Sequence, residues 1–302
     1  MSGQAEIVDA AGTVARAAET FCLTSEGLPE LIPTGFTAVD DAIGGLGPQA
    51  AGILAAATGV GKSGAVLSAM LNSKLPVGLV SLEDGPDVVG TRILAAVTGI
   101  DSMKIRKKDL SATELKKVRA AIESPGLSHM YFAYNIAGHI REVEESIAAM
   151  LALNVRLIYI DYVQEIGGTR EDRRNEVTEV FKRCHYACAK GDAALMMVSQ
   201  FKRLEDGKAP QIYHLKESGD LENKARIIIL AHKQDSPDAG ARVRFRLAKS
   251  TYGGEYVKFD MIRDPSGTLR PATYYTTTEA FKKAEDTKDN DRKTQPRQRK
   301  AV

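Results

Sequence analysis

From about Ile32 to Thr278, short apolar runs alternate with amphipathic stretches. The runs are GILAAA (52–57), PVGLVSLE (76–83), MYFAY (130–134), RLIYIDY (156–162) and AALMMVSQ (193–200). Between them, Pro86 to Val97, Ala112 to Ile122, His139 to Leu153 and Asn175 to Lys190 carry apolar side chains near the helical period. Strands that alternate with helices form a parallel sheet covered on both faces, so the expected class is α/β. After residue 224 the pattern changes. ARIIILAH (225–232), RVRFRLAKS (242–250) and EYVKFDMI (255–262) follow one another without room for long helices, and Gly253 and Gly254 separate the last two. This predicts an antiparallel hairpin added to the end of the parallel sheet.

The two ends read differently. Residues 5–21 have a helical pattern that Thr24 to Pro33 breaks, which makes residues 1–31 a helical arm and linker. Residues 32–280 form the main domain, and 281–302 are a charged, polar tail expected to be disordered. With 302 residues and a 43% hydrophobic fraction the chain can bury a sizeable core. No apolar run approaches the roughly 18 residues of a membrane span. The N-terminus lacks the basic and apolar segments of a secretory signal, and three cysteines make no disulfide framework. A reducing cytoplasm is the expected compartment. The net charge is only +2, so any nucleic-acid contact must come from local positive charge.

The first apolar run opens into Ala56-Ala57-Thr58-Gly59-Val60-Gly61-Lys62-Ser63, which the helical AVLSAMLN follows. A strand, a glycine-rich turn and a helix start in this order make a phosphate-binding loop. Backbone N–H groups wrap the phosphates, and the helix N-terminus adds its positive dipole end. Lys62 is placed to reach the β- and γ-phosphates of ATP, and the Ser63 hydroxyl to ligate Mg²⁺. The usual first glycine is here Ala56. Three further strands end in polar residues: Glu83, Asp161 and Gln200. In a parallel sheet ligands sit beyond the carboxyl ends of the strands, so these groups are expected to converge on the γ-phosphate. Asp161 fits a Mg²⁺-holding acid, Glu83 a base for the attacking water, and Gln200 a γ-phosphate sensor.

PTGFTAVDDAIGGL (33–46), the phosphate loop, LVSLED (79–84), LIYIDYVQEI (157–166), MMVSQFKR (196–203) and LKESGDLENKARIII (215–229) resemble, in order, the motifs of the DnaB-type replicative helicases. IRKKDLSATELKKVRAAI (105–122) also looks like the family's segment. The resemblance implies a RecA-like P-loop ATPase, a homo-oligomeric ring of six, ATP at subunit interfaces, and single-stranded DNA in the centre. It implies 5′ to 3′ travel and a primase or helicase loader as partner. The segment matching Lys216, Glu217, Ser218 and Gly219 would grip the sugar-phosphate backbone, although the family usually has arginine at Lys216. The loop after Gln200, with Lys202 and Arg203, is the natural second DNA contact. Lys249 matches a lysine that serves the neighbour's nucleotide.

Two departures qualify this. The family's arginine finger, two residues beyond that lysine, is here Thr251. Either hydrolysis is slow, or another cation, Arg246 or Arg263, substitutes. The family's helical N-terminal domain has no counterpart before Ile32, a layout shared with short chains of phages and other mobile elements. The expected setting is thus a bacterial or phage-infected cell. A recombinase-type ATPase that forms filaments, and a weakly hydrolysing ring or adaptor for a replication partner, are the alternative readings. Among the remaining features, the alternating Arg242, Arg244 and Arg246 are expected to form a solvated face, and Cys184, His185 and Cys188 to pack on a helix rather than bind zinc.

Overall fold

The computed structural model describes residues 31–134, 138–161, 166, 173–201, 209–215, 219–233, 242–254, 257–263 and 268–275, together with 10, 11, 14 and 15. The arm (1–31) and tail (281–302) fall almost wholly outside the described residues. So do the DNA-contact candidates Lys202, Arg203, Lys216 and Glu217; Gly219 is described only as the first residue of its helix.

In chain order the elements are α1 (Thr37–Ile43), β1 (Ala51–Ala56), α2 (Lys62–Asn72), β2 (Val77–Ser81), α3 (Pro86–Thr98), α4 (Ser102–Lys107) and α5 (Ala112–Glu123). Then come β3 (Met130–Tyr134), α6 (Ile140–Ala152), β4 (Leu157–Asp161), α7 (Arg173–Ala189), β5 (Ala194–Gln200) and α8 (Gly219–Lys224). The chain closes with β6 (Ile227–Lys233), β7 (Arg242–Ser250), β8 (Lys258–Arg263) and β9 (Leu269–Tyr275). The strands make one sheet in the order β3-β2-β4-β5-β1-β6-β7-β8-β9. The first six are parallel, and β7, β8 and β9 follow on from β6, each antiparallel to the strand before it. The predicted hairpin is present, with β9 as a further strand beyond it.

Both faces of the inner parallel strands are covered, which is why β1, β2, β4 and β5 are buried along almost their whole length. On one face, Leu54, Ala56, Leu79, Tyr159, Met196 and Ile229 meet α1, α2 and Val89 and Ile93 of α3. On the other, Ile53, Val80, Ile158, Leu195 and Ile228 meet α6 and α7. Cys184 and Cys188 belong to this second cluster as packed side chains of α7, and burial pushes the Cys184 thiol up to about 12. No described helix is long and apolar enough to cross a membrane.

The arginine face of β7 is not the solvated surface that its alternation suggests. Arg244 donates to both carboxylate oxygens of buried Asp260 on β8, at 2.8 and 3.0 Å, and Arg242 lies 3.7 Å from the same carboxylate. Arg246 donates to the Pro210 carbonyl at 2.9 Å and to Gln211 Oε1 at 3.1 Å. β8 places Asp260 directly opposite Arg244, so the charges of Arg244 and Arg242 are directed to a carboxylate within the sheet.

Candidate nucleotide site

β1 ends at Ala56, and the chain turns through Ala57–Gly61 into α2. Ala56 is fully buried and pairs with Gln200 on one side and Ala231 on the other. It is a strand residue with its methyl group in the core, so the absence of the usual glycine costs nothing here. The glycines that matter come later: Gly59 has φ 76° and Gly61, the N-cap of α2, has φ 108°. Side chains rarely tolerate these values. Val60 between them is buried and anchors the loop to the core. The loop thus turns its backbone towards the helix start, where unpaired N–H groups and the helix dipole favour an anion.

A cleft of about 280 Å³ opens over this turn. Its lining includes Thr58, Gly59, Gly61, Lys62, Ser63, Glu83, Gln200 and Arg263. Parallel pairing brings the polar ends together, since Ala56 lies level with Gln200, and Ser81 of β2 level with Asp161 of β4. The Leu82 N–H still donates to the Asp161 carbonyl at 2.9 Å, so Glu83 follows immediately beyond the ladder, exposed in a bend. Next to it, Asp84 is held by Arg92 in an ion pair. Thr58 Oγ1 stands 3.5 Å from Gln200 Oε1.

Asp161 is buried, and that burial raises its pKa. A hydrogen bond from Ser63 and the charge of Lys62 act against the rise. Its Oδ1 has no hydrogen-bond partner among the described residues. A buried carboxylate oxygen without a donor, beside a hydroxyl on the first turn of α2, suits a hard cation with oxygen ligands. Burial lowers the Lys62 pKa, and the nearby carboxylates of Asp161 and Glu83 pull it back up. The cleft therefore joins a cation, a metal-competent acid and hydroxyl, an exposed carboxylate and an amide around a phosphate-shaped turn.

The phosphate loop, Ser63, Glu83, Asp161 and Gln200, expected at the site, come together. Lys249, expected to serve a neighbour's nucleotide, lies apart from its own chain's cleft. It pairs with Ile228 on the face away from α2, towards the opposite end of the strands, and its Nζ bonds the Glu222 carbonyl of α8. Of the two cations offered as substitutes for the arginine finger, Arg263 enters the cleft, from β8.

Known proteins share both the sequence and the fold. A probable plasmid replicative DNA helicase of Chlamydia trachomatis serovar L2 is 28% identical over 226 residues, 72% of this chain and 50% of that protein. The replicative DNA helicase DnaC of Bacillus subtilis is 26% identical over 218 residues, 68% of this chain and 48% of that protein. The chain thus spans about half the length of these curated relatives. Among solved structures, an isolated ATPase domain superposes with a TM-score of 0.73 at 21% identity, over 86% of this chain and 96% of that one. A DnaB-like replicative helicase, described with its interactions with primase, gives 0.71 at 21% identity, over 88% and 67%. The sequence model of the DnaB-like helicase C-terminal domain matches residues 31–255, and the chain belongs to that family.

Proposed function

We propose that this chain is an ATP-driven DNA helicase motor, which binds Mg-ATP at the α2 cleft and uses its hydrolysis to move on single-stranded DNA. One observation carries the reading: Lys62, Ser63, Glu83, Asp161 and Gln200, from four different strand ends, meet around one phosphate-binding turn. Lys62 and the loop N–H groups hold the phosphates. Ser63 and Asp161 would hold Mg²⁺, which when bound offsets charge on the phosphate oxygens. Glu83 orients the attacking water and accepts its proton as the water oxygen bonds the γ-phosphorus. The bond from that phosphorus to the β–γ bridging oxygen breaks, and ADP departs with the electron pair. Gln200, hard against Thr58, registers whether the γ-phosphate is present and passes this to the segment after Phe201.

The assembly is a homo-oligomeric ring, by analogy with the family, with single-stranded DNA gripped through segments near Lys202, Arg203, Lys216, Glu217 and Gly219. Backbone contacts of this kind position a strand without reading its sequence. A primase or a loader in the cytoplasm of a bacterial or infected cell completes the proposal.

The test is strand separation of forked duplexes with a single 5′ or 3′ tail, beside the Lys62→Ala protein. ATP-dependent opening that needs the 5′ tail and disappears in the variant is the expected result. Nucleotide and DNA binding with no opening would instead favour a weakly hydrolysing adaptor.

A further inference from the structure

The antiparallel strands deliver a second cation to the cleft. β7 runs against β6 and β8 against β7, so β8 points the same way as β6 and the other parallel strands. The C-terminal end of β8 therefore lies on the sheet edge where the phosphate loop sits. Its last residue is Arg263. The guanidinium lines the cleft beside Lys62, Glu83 and Gln200. Its Nη2 donates to the Gly59 carbonyl at 3.3 Å. It lies so close to the N-cap of α2 that a Cβ on Gly61 would stand 2.5 Å from Nη2.

Among the described residues nothing accounts for this charge. No carboxylate among them pairs with Arg263, whereas Arg92 in the same cleft is paired with Asp84, and Arg244 is matched to Asp260. A guanidinium has five N–H donors in a fixed fork. A single long bond to a carbonyl leaves most of them available, over the turn whose N–H groups suit an anion. Fork geometry matches phosphate oxygens well. Arg263 also lies beyond residues 31–255, so the family match assigns it no role.

We infer that Arg263 is a phosphate-binding residue for the nucleotide held by its own chain, a cation supplied in cis across the sheet. The inference rests on the ATP reading above. Bracing of the loop through the Gly59 carbonyl is the competing role, and it needs a donor but no charge.

Binding of a fluorescent ATP analogue with Mg²⁺ is measured for wild type, Arg263→Gln and Arg263→Lys over a range of salt, with melting of each protein alone. If the wild type binds no nucleotide, the ATP reading itself fails. If it binds, Arg263→Gln is expected to weaken affinity about tenfold, the scale of one lost charge-assisted contact. Arg263→Lys should recover part of that loss, and the difference should shrink as salt rises, with unliganded melting unchanged. Wild-type affinity in Arg263→Gln overturns the inference. The cis assignment has its own check. An equimolar mixture of Arg263→Gln and Lys62→Ala proteins should hydrolyse ATP no faster than the two measured apart. A gain would mean that Arg263 serves a neighbour's nucleotide and would overturn it.

Discussion

Taking a carboxylate out of water costs several kcal/mol unless charges or hydrogen bonds replace the lost hydration. Asp161 is only partly compensated, with Ser63 and Lys62 on one side and an Oδ1 that has no donor among the described residues. Its position at the end of a buried strand is therefore unfavourable to the unliganded fold and useful once a cation arrives. Asp161→Asn removes the charge and keeps the shape and an acceptor for Ser63. The unliganded variant should melt at or above the wild-type temperature. Wild type at about a hundred times its Kd for Mg-ATP should gain about 5 °C, from the usual linkage and scaling. The variant should lose most of that gain and about 100-fold or more of its hydrolysis. A variant that melts early yet keeps the ligand-induced gain would make Asp161 a structural acid.

At the scale of elements, the first turn of α1 carries another carboxylate, partly buried. Asp40 accepts from Thr34 N and Thr34 Oγ1, both at 2.7 Å, and from Gly35 N at 2.9 Å. The Thr34 carbonyl in turn accepts from the buried Tyr159 hydroxyl of β4, which ties the segment to the sheet. Burial outweighs the hydrogen bonds and raises Asp40 to about 6. The folded protein then holds a proton that the unfolded chain, with a pKa near 3.8, has already released. Stability from this group is complete below the unfolded value and is lost as pH rises to about 6. A rise of this size corresponds to about 3 kcal/mol. The difference in unfolding free energy between wild type and Asp40→Asn should therefore fall across about pH 4–6 and stay flat above it. A difference that is constant with pH would show that the three donors keep Asp40 ionised throughout.

What the sequence revealed of these elements follows their physics. Buried parallel strands are continuous apolar runs, so β1 to β5 were legible to within a residue or two. The phosphate loop was legible because all its parts are contiguous. The short helices α1, α4 and α8 and the strand β9 escaped, and two of them show why. α4 (SMKIRK) has no buried residue and starts on the Asp101 side chain, which accepts the Met103 N–H at 2.6 Å, so it has no apolar stripe to read. β9 contains Pro271, which weakens any strand assignment, and an edge strand is where a proline is tolerated. The pairing of Arg244 with Asp260, and which of Arg246 and Arg263 reaches the cleft, were hidden for one reason. Both depend on strand register across the antiparallel end of the sheet, which local pattern does not specify.

At the scale of the molecule, the two candidate cations of the antiparallel end face opposite ways. Arg263 ends β8 on the cleft edge, while Lys249 lies level with Ile228 and, across β6, with Ile53, three residues before the end of β1. Three residues of strand and two interstrand spacings put about 10 Å along and about 10 Å across the sheet between Lys249 and Ala56, before the loop itself is reached. Lys249 also lies on the other face from α2. It has no route to its own chain's phosphates. If Lys249 serves a nucleotide, that nucleotide belongs to another copy, which requires the head-to-tail contact of a ring. Lys249→Ala should then bind Mg-ATP as wild type does but turn it over slowly. Mixed in equal amounts with Lys62→Ala, it should regain turnover that neither protein has alone, because about a quarter of randomly formed interfaces pair an intact loop with an intact lysine. No gain on mixing, together with weaker nucleotide binding by Lys249→Ala itself, would confine the lysine to its bond with the Glu222 carbonyl. It would then brace α8 against the sheet within one chain.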